Sequence, residues 1–150
     1  MRNDFFFLYL ISFLIFGLSL FLDFFIINMV YVQHKKKTGI EVDYRKKAVI
    51  FAWTSKIIAF AVTWYLEVFN SGYYVFGIGV FQTILAPLSI KIIGVVVAMI
   101  FIFLCDYFIA FRRVSYGWLK VSNSQKITLS VLFAILNAPF LFLIEHWIFW

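Results

Sequence analysis

The chain has 150 residues, 65% of them hydrophobic and 13% charged, with 21 phenylalanines and a mean hydropathy of +0.99. Soluble domains carry about 25% charge, so a soluble globular protein, a disordered chain and a disulfide scaffold are all excluded. The net charge of +6, from 13 Lys and Arg against 7 Asp and Glu, reads in so apolar a chain as loop topology, not as affinity for nucleic acid.

The first apolar block, 5–32, is broken only by Asp23 and Asn28. It is too long for a signal-peptide core and no small-residue cleavage site follows, so we read it as a retained first span. The segment 33–47 then holds six Lys and Arg. A second block, 48–67, contains Lys56 and ends near the polar turn Asn70-Ser71-Gly72. Residues 73–87 contain Gly77, Gly79 and Pro87 and read as an outer loop or a re-entrant segment, which protein must shield from lipid. Pro87 marks the start of a third span, 88–111, because proline suits a first helical turn and breaks what precedes it. The segment 112–126 carries four Lys and Arg, and the last block runs 127–149.

Both basic segments fall on one side only if the chain crosses four times. The expected fold is therefore all-α: a polytopic bundle of four transmembrane helices forming one unit over 1–150, with both termini outside. Trp64, Tyr65, Tyr73, Tyr74, Trp147 and Trp150 would mark the outer interface, and Tyr31, Tyr44, Tyr116 and Trp118 the inner one.

Ionisable groups inside a membrane are costly and therefore informative. Asp23 lies ten residues before Gln33, and Lys56 nine after Lys47. At the helical rise these are depths of roughly 15 and 13.5 Å, which predicts an intramembrane Asp23–Lys56 ion pair; the alternatives are a Lys56 that stretches to the inner interface and a protonated Asp23. Such a pair would pin the first two helices together. Asp106, six residues before Arg112, is expected at the inner rim against Arg112, Arg113 or Lys56. Glu67, Lys91, Glu145 and His146 share the outer level and read as interfacial charge in water. Asn137 and Pro139 sit mid-way along the last span, where proline frees a carbonyl and bends a helix toward a partner or pore. Small and polar residues form one face per helix: Ser12, Ser19 and Asp23; Ala52, Lys56, Ala59, Thr63 and Glu67; Lys91, Gly94, Ala98 and Cys105; Ser130, Ala134, Asn137, Ala138 and Glu145. Small faces let helices approach closely in lipid.

The single cysteine and two histidines form no metal-ligand spacing, and no enzyme signature occurs. The expected protein is non-enzymatic, with no metal and no cofactor. Its partners would be membrane lipid, a membrane-embedded protein or a second copy of itself, and not nucleic acid.

Small, Phe-rich, basic membrane proteins of this kind resemble bacterial self-protection proteins. The stretch from Asn70 to Phe142 is similar to immunity proteins against pore-forming colicins. It shares Asn70-Ser71-Gly72-Tyr73-Tyr74 after a span, Pro87, the basic loop from Arg112 to Lys126, and Pro139-Phe140 in the last span. Members of that group have three spans, and the helix at 5–32 is additional here. Length, topology and composition also resemble the TraS-type surface (entry) exclusion proteins of F-like plasmids. Either resemblance implies a multi-pass protein of the bacterial inner membrane. It would bind the membrane-embedded part of an incoming toxin or transfer apparatus and block it. The competing expectation is a small four-span transporter, flippase or channel subunit.

Overall fold

In a computed structural model of the chain, the residues described are 2–39, 43–71, 86–112, 122–140 and 143. They form four α-helices and, among them, no strand: α1 (Arg2–Thr38), α2 (Arg45–Ser71), α3 (Leu88–Cys105) and α4 (Asn123–Leu136). A π-helical turn, Asp106–Ala110, extends α3.

The helix ends follow local chemistry. α1 runs beyond its apolar block through Lys35, Lys36 and Lys37, cations that suit a helix C-terminus. It stops at Gly39, whose φ of +66° turns the chain while its N–H donates to the Lys35 carbonyl at 2.9 Å. Asp43 caps α2 by accepting the Arg45 N–H at 3.0 Å. α3 begins after Pro87, as proline geometry predicts. A capping box starts α4: Ser122 Oγ accepts the Gln125 N–H, and Gln125 Oε1 accepts the Ser122 N–H, both at 3.2 Å.

Three stretches are long and apolar enough to cross a membrane: Leu10–Lys37, Arg45–Asn70 and Leu88–Ala110. The fourth expected span, 127–149, is not one continuous helix. α4 ends at Leu136, because Ala138 precedes Pro139 and is driven out of helical geometry. Its 14 residues rise about 21 Å, short of a hydrocarbon core of roughly 30 Å. The re-entrant segment proposed at 73–87 lies outside the described residues up to position 85, and so do Arg113, Glu145 and His146.

α2 and α3 pack most closely. A Cβ on Gly94 would meet Thr63 Oγ1 and would stand 2.9 Å from the Ala59 carbonyl oxygen, so only glycine permits this approach. α4 packs on α3, and α1 on α2. Among the described side chains of α1 the buried ones form the four-residue row Ser19, Asp23, Ile27 and Tyr31. The densest packing is aromatic and lies at the basic end. Tyr44 meets Phe111 edge-on at 4.9 Å and Tyr31 at 5.3 Å, and Phe111 stacks on Phe133 at 5.7 Å. Tyr31 and Tyr44 are thus core residues here, where an interfacial belt was expected.

Candidate functional site

Asp23 occupies the buried row of α1 and Lys56 the buried face of α2. Lys56 Nζ lies 3.0 Å from Asp23 Oδ2 and donates to Oδ1 at 3.2 Å. Both side chains are only 4% exposed, so Lys56 does not stretch to the interface. The pair ties α1 to α2, helped by Trp53, whose Nε1 donates to the Leu20 carbonyl at 3.3 Å.

Asp106 stands at the inner level expected of it, but without the expected partners. It is buried, yet neither carboxylate oxygen has a hydrogen-bond partner. Arg112 is exposed and gives it no hydrogen bond, and Arg113 lies outside the described residues. The register set by Gly94 against Ala59 and Thr63 places Asp106 roughly 10 Å nearer the basic end than Lys56, beyond that lysine's reach. Asp106 points inward because it continues the buried four-residue row Gly94, Ala98 and Ile102 of α3, and the π turn that follows keeps the next inward residue in line. Phe111 N–H donates to the Asp106 carbonyl at 2.9 Å, a five-residue link that sets Asp106 and Phe111 on one inner face. Lys126, also buried, is nearby but sits over the Tyr107 ring at 4.2 Å.

The outer-level residues also depart from expectation. Lys91 is fully buried between helices and is not bathed in water, and Glu67 is half-buried. Asn137 is buried at the end of α4, where its Nδ2 donates to the Phe133 carbonyl at 3.1 Å while its Oδ1 has no partner. Pro139 is buried beside it, and Pro87 is exposed at the head of α3. The expected small faces are inward at Ala52, Ala59, Thr63, Gly94, Ala98, Ser130 and Ala134. Cys105 is only half-buried, since the inward row of α3 runs from Ala98 through Ile102 to Asp106 and leaves Cys105 beside it. Lys91, Thr63, Asn137, Lys56, Asp23 and Asp106 thus mark buried polar positions at successive levels of the bundle.

At the basic end a second polar set surrounds the start of α2. Arg45 donates to Asp43 through Nε at 2.9 Å and Nη2 at 2.7 Å, and to Asn28 Oδ1 through Nη1 at 3.1 Å. Its guanidinium lies 4.5 Å from the Tyr31 ring centre. The Arg45 hydrogen bonds hold the Asp43 carboxyl well below the usual carboxylate range, at about 2. Burial pushes the Tyr44 hydroxyl up, and it lies 3.3 Å from His34 Nδ1. The sequence reading missed this set because it treated 33–47 as topology alone, although an Asp two residues before an Arg at a helix start was a visible capping signal.

No group of His, Cys, Asp or Glu among the described residues is arranged to hold a metal ion. The site offers buried ion pairing, one unpartnered carboxylate and apolar helix faces. No family model, curated protein or solved structure matches the chain.

Proposed function

We propose that this is a non-enzymatic membrane protein acting by contact inside the bilayer with another membrane-embedded protein, in the manner of bacterial immunity or exclusion proteins of the inner membrane. One observation carries the reading. α1 is a 37-residue helix whose first half carries an exposed, Phe-rich face beside the half-buried Ile11, Ser12 and Ile15. No described side chain from Phe7 to Leu18 is buried, and Phe7, Phe13, Leu14, Phe16 and Leu18 are exposed. An exposed, Phe-rich helix face is suited to packing against a partner's helix, where close van der Waals contact is the available driving force.

The test is expression in a susceptible bacterial strain, followed by challenge with a panel of pore-forming colicins and with a conjugative donor. Survival or reduced transfer is expected, and alanine at Phe13 and Phe16 should abolish it at unchanged membrane level. A second reading, transport, is favoured by the buried, unpartnered Asp106, since intramembrane carboxylates commonly line ion or proton paths. Absence of protection, together with an ion or lipid-linked-sugar flux that Asp106→Asn removes, would replace the first reading with the second.

A further inference from the structure

A groove of about 470 Å³ opens between α1 and α2 at the basic end. Its wall is apolar: Phe24 from α1, and Val49, Ile50 and Trp53 from α2. Its mouth is polar: Asn28, Asp43, Arg45 and Lys46. Trp53 cannot swing in to close it without giving up its hydrogen bond to Leu20. Arg45 is committed to Asp43 and Asn28, so those two charges balance. Lys46 remains exposed, with no ion pair among the described residues. The mouth therefore keeps a net positive charge, carried by Lys46. From Lys46 to Trp53 the wall rises about 10 Å along α2, running from the interface toward the depth of the Asp23–Lys56 pair.

A cleft that is apolar inside, cationic at its mouth and set where a spanning helix meets water matches one end of an anionic lipid. We propose that this groove binds an anionic phospholipid, with the phosphate at Lys46 and an acyl chain along Phe24, Ile50 and Trp53. A zwitterionic lipid fits the same wall but brings no net charge to the mouth. One lysine near a lipid surface corresponds to about a fivefold preference. The inference is independent of which protein the bundle meets.

The test is native mass spectrometry of the purified protein in non-ionic detergent, titrated with phosphatidylglycerol and with phosphatidylcholine of matched chains. The wild type should retain one phosphatidylglycerol about fivefold more readily. Lys46→Gln should bring the ratio near one. Lys47→Gln removes the same charge from the next residue, which does not line the groove, and should leave the ratio unchanged. Both lysines are exposed, so neither change disturbs folding. Trp53→Leu should weaken retention of both lipids alike. A wild-type ratio of one, or equal losses in Lys46→Gln and Lys47→Gln, would overturn the site. Unaltered retention in Trp53→Leu would overturn its acyl slot.

Discussion

Asp106 has the least compensated side chain described in the bundle. A carboxylate away from water, with no donor on either oxygen, destabilises the fold whenever it is charged. Asp106→Asn keeps the shape and removes the charge, so it should raise the midpoint of thermal unfolding in detergent, a gain of about 1 kcal/mol or more. An unchanged or lowered midpoint would mean that the carboxylate is compensated. Asp23 and Lys56 behave in the opposite sense, because each is the other's compensation. Asp23→Ala should destabilise the protein, and adding Lys56→Ala should recover part of the loss, with a coupling of about 0.5–2 kcal/mol. Strictly additive losses would dissolve the pair. The contrast explains what the sequence could reveal. Asp23 and Lys56 sit on regular helices entering from one loop, so counting residues from that loop places them at one depth. Counting from Arg112 likewise gives Asp106 its depth at the inner rim, but not its partner, because the π turn between the two turns Arg112 off the face a regular helix would give it.

Among the elements, the contact between α2 and α3 depends on one missing methyl group. Gly94→Ala puts a carbon against the Ala59 carbonyl oxygen, a backbone atom that cannot rotate away. The helices must separate, and the cost should be about 1–3 kcal/mol in unfolding measurements. Gly17 on α1 is the natural control, since nothing lies within 4 Å of its would-be Cβ. Gly17→Ala should be neutral or stabilising by up to about 1 kcal/mol, as alanine favours a helix. Equal effects of the two changes would show that the close approach carries no weight. The inward faces of α2 and α3 were legible because small residues recur at three- and four-residue spacing. The stop of α4 was only partly legible: Pro139 was visible, but hydropathy continues past it and favoured an unbroken span.

On the scale of the whole molecule, ten Lys and Arg in two segments fix the expected orientation. Reporter fusions should place 33–47 and 112–126 in the cytoplasm, and 68–86 and the C-terminus outside. A C-terminal reporter active in the cytoplasm would mean an odd number of crossings. Composition alone made the membrane class legible, whereas the number of crossings turns on segments around 73–85 and 141–150 where apolar runs and turn residues overlap. The engagement of α1 has a further consequence. Its hold on the bundle runs through one four-residue row, the Asp23–Lys56 ion pair, the Trp53 hydrogen bond and the contacts of Tyr44 and Arg45 with Asn28, Tyr31 and His34, and the covalent link to α2 passes through the exposed Gly39. The polypeptide is therefore separable into two pieces that recognise each other. Residues 1–39 and 40–150, synthesised as independent chains in one cell, should assemble and co-purify. Asp23→Ala in the shorter piece should weaken their recovery as a complex, and failure of the unaltered pieces to associate would show that the loop, not the helix face, holds α1 in place.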